Sequence, residues 1–176
     1  MIGVPVSPRP AYTGTPTGPY GLTLEALRTL VASSTTFQAW VDEASAEAAK
    51  AHIYLLAIDA SSISRPFAGV EIVPQSWRTQ SVASGSSQDV YIDGGIARIT
   101  FEDSAGVNDW TTEYYEFANR YEAVLADILA LSGHGNHPAI ANATIEDGPA
   151  RVTDDDAPGD QDYYGVSLTV EFGLNG

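Results

Sequence analysis

Val166, Leu168, Val170 and Phe172 alternate with Gly165, Ser167, Thr169 and Glu171 in the last apolar run of the chain. A period of two is the mark of a strand with one buried face. The expectation is a terminal strand lying at a sheet edge, where another copy of the chain can dock. Upstream the period changes. Trp110, Tyr114, Phe117, Ala118, Tyr121, Val124, Leu125, Ile128 and Leu129 recur at helical spacing, with Glu113, Glu116, Asn119, Glu122 and Asp127 on other faces. That predicts one amphipathic helix over 110–131, stopped by Gly133. A shorter stripe of Leu24, Leu27, Leu30 and Val31 predicts a helix over 24–32 capped by Thr23. Ser33 to Thr36 breaks it and caps a second helix carrying Phe37, Trp40, Val41 and Ala44, and Ser45 to Ala51 forms a further short turn of helix.

Between the helices the pattern is that of strands. Residues 52–59 are apolar without alternation, which predicts a strand covered on both faces. Residues 67–73 form a second strand between Pro66 and Pro74. Residues 75–89 are rich in Ser and Gln and read as a flexible loop. Two strands, 89–93 and 96–102, flank Gly94-Gly95, a pair suited to a tight turn or a bulge. After the long helix, 139–146 is a strand, and 147–162 is an acidic turn-forming loop. Residues 1–21 hold five prolines and four glycines, so they favour an extended arm with Tyr12 and Tyr20 as anchors. Helices, then strands, a long helix and two closing strands suggest an α+β domain: a mostly antiparallel sheet with helices packed on one face, plus the Pro-rich N-terminal arm. There is no internal repeat.

Composition narrows the function. Eight Lys and Arg against 23 Asp and Glu leave a formal charge of −15. A basic stripe for phosphates cannot be assembled from so few cations, so sequence-specific nucleic-acid binding is not expected. The acidic balance also reads simply as solubility. With no cysteine, disulfides, thiolate metal sites and a Cys nucleophile are excluded. The strongest apolar run, Ile53 to Ile58, falls far short of a membrane span, and residues 1–21 have neither the basic start nor the apolar core of a signal peptide. Folding in a cytoplasm is the expectation.

Candidate chemistry is sparse. His134 and His137 sit three apart in a Gly-rich loop, with no third ligand near in sequence. Asp154, Asp155, Asp156, Asp160 and Asp162 suggest a calcium loop, but counting from Asp154 the fifth place is Pro158 and the twelfth Gly165, against the EF-hand rule. Ala83-Ser-Gly-Ser-Ser87 is neither a nucleophile elbow nor a phosphate loop. Asp42/Glu43 and Glu102/Asp103 read as solvated charges, and the Trp110–Tyr121 aromatic stripe reads as core before cofactor wall. No catalytic residue, no metal site and no cofactor is expected.

The order of elements resembles the bacteriophage tail terminator, or tail completion, proteins, the class typified by the lambda-type minor tail protein. Three stretches carry the resemblance: the opening helical segment Leu24 to Val41, with Leu27-Arg-Thr-Leu-Val-Ala-Ser33 and Phe37-Gln-Ala-Trp40; the long helix Tyr114 to Leu131 before a Gly loop; and the closing strands Ala139 to Glu146 and Tyr163 to Leu174. It covers residues 22–174, so the division expected is an arm over 1–21 and a single tail-terminator-like domain over 22–176. The family implies a structural virion protein at the head–tail junction, assembled in the host cytoplasm as a ring, commonly hexameric. Such a ring ends the tail tube and meets the head-closure or neck protein, while DNA passes through without specific binding and no membrane is involved. The Pro-rich start and the 75–89 segment depart from the family core. They leave open whether this is the terminator, a head-closure protein or another neck component. The subunit or neck-protein interface is then expected at Tyr12, Tyr20, Trp77, Arg78, Val166, Leu168, Val170 and Phe172. Acidic residues of the lumen or rim are expected at Asp154, Asp155, Asp156, Asp160 and Asp162, with Glu102 and Asp103 as weaker candidates. Two other readings compete: a small-molecule or carbohydrate binding module using Trp77, Trp110 and residues 75–89, and an enzyme with a dispersed active site.

Overall fold

The computed structural model describes residues 16, 18–55, 63–76, 78–84, 87–106, 109–153 and 162–174, with the backbone alone for 79–84 and 87–92. Three helices open the chain: α1 (Pro19–Ala32), α2 (Thr35–Trp40) and α3 (Ala46–Ala49), the last running into a short 3₁₀ turn. Strands β1 (Ile53–Leu55), β2 (Phe67–Ile72), β3 (Arg78–Ser84) and β4 (Ser87–Ser104) follow, then helix α4 (Trp110–Leu131) and strands β5 (Ala139–Val152) and β6 (Tyr163–Gly173).

Side-chain chemistry explains the helix boundaries. Pro19 starts α1 because a first-turn residue needs no backbone N–H. Thr23 is therefore inside the helix rather than its cap, and its hydroxyl donates to Pro19 O at 2.8 Å. The cap expected for the second helix holds, and α4 has one the pattern did not name. Ser34 Oγ accepts from Phe37 N at 3.0 Å at the head of α2, and Asp109 accepts from Thr112 N at 3.3 Å at the head of α4. Asp127 of α4 ties that helix to the head of α2. It accepts from Ser34 Oγ at 2.7 Å and from Thr36 N at 3.0 Å. Burial alone would push the Asp127 carboxyl up, but these bonds from the head of α2 outweigh it and hold it below its ordinary value.

The sheet runs β1-β2-β4-β6-β5, with β3 paired to β4. β1 and β2 are parallel, and every other pairing is antiparallel. One face is apolar and carries the helices. Val70, Ile99, Phe101, Val166, Leu168, Val170 and Phe172 of the strands form one core with Leu27, Leu30 and Val31 of α1, Phe37 of α2, and Phe117, Val124 and Ile128 of α4. Trp40 closes one end of it, stacked on Phe101 at 5.7 Å and edge-on to Phe117 at 5.8 Å. The fold is the expected α+β arrangement of a mostly antiparallel sheet with helices on one face.

Three expectations are corrected, and the choice left open at Gly94-Gly95 is decided. The terminal strand is not an edge. β6 lies between β4 and β5, hydrogen-bonded on both sides, and among the described residues β1, β3 and β5 have a partner on one side only. Alternation reports one buried face, and says nothing of lateral neighbours. Gly94-Gly95 is no turn, because β4 passes straight through it. The irregularity is a bulge, where β3 pairing steps from Arg78↔Gly94 to Thr79↔Ile92 and leaves Asp93 unpaired with β3. A side chain at Gly94 would stand 2.4 Å from Phe172 O, so close strand approach demands glycine there. Residues 78–84 and 87–89 are strand rather than loop. The acidic 147–162 segment is also strand as far as Val152.

Candidate functional site

Three surfaces stand out from this scaffold. The first is a ribbon. At Gly94 strand β4 is flanked by Arg78 of β3 on one side and Gly173 of β6 on the other, so β2 and β3 lie end to end along the same side of β4. β6 stops at Gly94, and the pairs Thr79↔Ile92 to Ser84↔Ser87 continue alone. At about 3.4 Å per residue this two-stranded ribbon reaches roughly 20 Å past the sheet.

The second surface is the sheet edge at β5. The strand is 14 residues long and mostly exposed along its length, with Ile145 at 47%. Its pairing to β6 shifts register at Ile140/Asn142, Ile145/Asp147 and Asp147/Ala150. Gly148, at φ 81°, makes the sharpest of these possible, since a Cβ would meet Gly165 O at 2.5 Å. Bulges twist an edge away from uncontrolled pairing. The helix-free face beside it is polar. Arg98 forks onto Glu146 with bonds of 2.7 and 2.9 Å, and its other arm takes Glu71. Thr169 Oγ1 donates to the same carboxylate at 3.0 Å. The Arg98 and Thr169 hydrogen bonds hold the Glu146 carboxyl down at about 2. Arg65 pairs with Glu102 at 2.9 Å and lies 4.1 Å over the Tyr163 ring.

The third surface is a groove of roughly 340 Å³ lined by Trp110, Thr111, Tyr114, Tyr115, Arg151 and Tyr164. It lies between the first turns of α4, the end of β5 and the start of β6. Arg151 lies 4.1 Å over the Trp110 ring and is paired with Asp162. Tyr114 Oη donates to Pro149 O at 2.9 Å and its ring meets Tyr164 edge-on at 6.1 Å. Tyr164 Oη donates to Glu113 at 3.2 Å, and Gly106 N donates to the same carboxylate at 2.9 Å. Burial first, and Glu113 second, push the Tyr164 phenol above its ordinary value, so it stays a neutral donor.

The predicted site residues divide among these surfaces. Arg78 is exposed at the root of the ribbon, and Tyr20 is 38% exposed in the first turn of α1. Tyr12, Trp77, Asp154, Asp155, Asp156 and Asp160 lie outside the described residues. Val166, Leu168, Val170 and Phe172 are corrected: all four point into the core and are at most 2% exposed, so they offer nothing to a neighbour. Asp162 is engaged with Arg151 rather than free at a rim. Glu102 is taken by Arg65, and Asp103 accepts from Trp40 Nε1 at 2.8 Å and Arg120 at 2.9 Å, so neither is a solvated lumen charge. His134 and His137 stay in the loop after α4, and no cluster of three metal-ligating side chains occurs among the described residues. Arg151, Tyr115 and Tyr164 were missed. Their signal was faint: one of only eight cations beside an acidic stretch, and an aromatic run that outlasts the core stripe.

No protein-family model matches the chain, and a search of curated proteins gives no match. Among the described residues no helix is long and apolar enough to cross a membrane.

Proposed function

We propose that this protein is a structural component of a tailed-phage virion: a subunit of a hexameric ring at the head–tail junction that ends the tail tube and joins it to the neck. The observation that carries the reading is the β3–β4 ribbon. A two-stranded hairpin standing alone in water is marginally stable, and this one extends well past its last third strand. A neighbouring subunit supplies the missing contact. The exposed β5 edge and the charge of −15 agree with the same reading, because an acidic lumen lets DNA slide without adhering. In this role the protein is not an enzyme, needs no cofactor, and partners itself, the tail-tube protein and a head-closure or neck protein.

The test is mass in solution by light scattering, alone and after addition of the tail-tube protein, with negative-stain imaging of the tubes. A ring, or caps at tube ends, is expected. A chain that stays monomeric and ignores tubes overturns the terminator reading. A head-closure role predicts binding to the neck side of completed tails instead. The competing small-ligand module is favoured by one observation, the Trp110 groove, and predicts a monomer or dimer throughout.

A further inference from the structure

The groove at the head of α4 has the chemistry of a receptor for proline-rich chain. Trp110 and Tyr115 expose 61% and 63% of their surface, far from the usual fate of such rings. The neighbouring rings are held rigidly. Arg151 stacks on Trp110, Pro149 O fixes the Tyr114 hydroxyl, and Tyr164 stacks on Phe117 at 5.7 Å. Rigid aromatic walls bind with little loss of side-chain entropy. Trp110 Nε1–H has no acceptor among the described residues, and it is a donor only. A polyproline helix is its chemical complement, since its carbonyls make no internal hydrogen bonds and its ring faces pack on aromatics.

The chain carries a matching segment outside the described residues, Pro5-Val-Ser-Pro-Arg-Pro10. A polyproline helix repeats every three residues, which is the spacing of Pro5 and Pro8 in the sequence. Charge agrees as well. Residues 1–24 contain Arg9 and no acidic residue, in a protein of charge −15. Arg151 lines the groove itself, and three carboxylates are bonded to groups in or next to it: Asp109 to Thr112, Glu113 to Tyr164 and Asp162 to Arg151. Fully extended, the spacer from Pro10 to Pro16 reaches roughly 20 Å.

We propose that the Trp110–Tyr115–Tyr164 groove docks the Pro5–Pro10 segment of this protein. This assignment stands apart from the ring reading, and its failure leaves the mass measurement above untouched.

The experiment uses the full chain with its own segment disabled by Pro5→Ala, Pro8→Ala and Pro10→Ala. A labelled peptide of residues 1–15 is titrated in and followed by fluorescence polarisation. Saturable binding is expected. Adding Trp110→Ala or Tyr115→Ala weakens it roughly tenfold or more, as for an aromatic anchor, while circular dichroism melting is unchanged because both rings are exposed. Arg9→Glu in the peptide weakens binding at low salt, and the difference shrinks at high salt. The proposal is overturned by no binding to the disabled chain, by equal binding after both aromatic substitutions, or by equal binding of a scrambled peptide of the same composition.

Discussion

Leu168 faces Ile99 of β4 on one side and Ile145 of β5 on the other, and no part of it reaches solvent. Leu168→Ala leaves a cavity under the helices and is expected to destabilise the monomer by about 2–5 kcal/mol, read by urea denaturation. An interface residue would behave differently, lowering oligomer mass and leaving the unfolding midpoint in place. On the opposite face, Glu146 makes stability depend on acid. Its carboxyl is held at about 2, below its ordinary 4.5. A depressed carboxylate contributes fully above its unfolded value, and the contribution fades as pH falls from about 4.5 through about 2. Glu146→Gln should therefore flatten the loss of melting temperature across that window and leave the profile above pH 5 parallel to wild type. A variant with the same slope as wild type between pH 4.5 and 2 would show that the Arg98 pair contributes nothing to folding.

Elements differ in how much of the fold depends on them. α4 joins the core through Phe117, Val124 and Ile128 and anchors α2 through Asp127, so the fold depends on its 117–128 stretch. The ribbon is different, since among the described residues β3 pairs with β4 alone. Thr79 and Ile92 are register partners. Replacing residues 80–91 with Asn-Gly gives a two-residue turn of the favoured type. The melting temperature should move by only a few degrees, whereas assembly with itself or with tail tubes should be lost. Intact assembly after this excision would remove the observation on which the ring reading stands. The helical elements were legible in the sequence because caps and stripes are local: Ser34 and the 110–131 stripe each stand where the pattern puts them. Residues 78–84 and 87–89 were not, because Thr79, Gln80, Ser81, Gln88 and Asp89 carry no apolar alternation to read. Their strand character follows from register with each other.

For the whole molecule the dominant quantity is −15. Like-charged subunits repel when brought together, and salt screens that repulsion as the Debye length falls from about 10 Å at 0.1 M to about 3 Å at 1 M. Raising NaCl across that range should therefore increase the fraction of assembled protein in light scattering. A fall in mass with salt would instead point to an interface built from ion pairs.

The sequence by itself determined the α+β class, the long helix, the Ser34 cap, and the buried face of the last strand. These follow from periods of 3.6 and 2 and from hydrogen bonds between near neighbours. Only the tertiary structure decided the rest. It set the last strand in the middle of the sheet and made β5 an edge. It gave Glu102, Asp103 and Asp162 cationic partners, and it joined Trp110 to Arg151 across 41 positions of chain. The physical reason is that lateral strand order and charge pairing are contacts between residues distant in sequence, and a one-dimensional pattern records which face of an element is buried, not which element lies beside it.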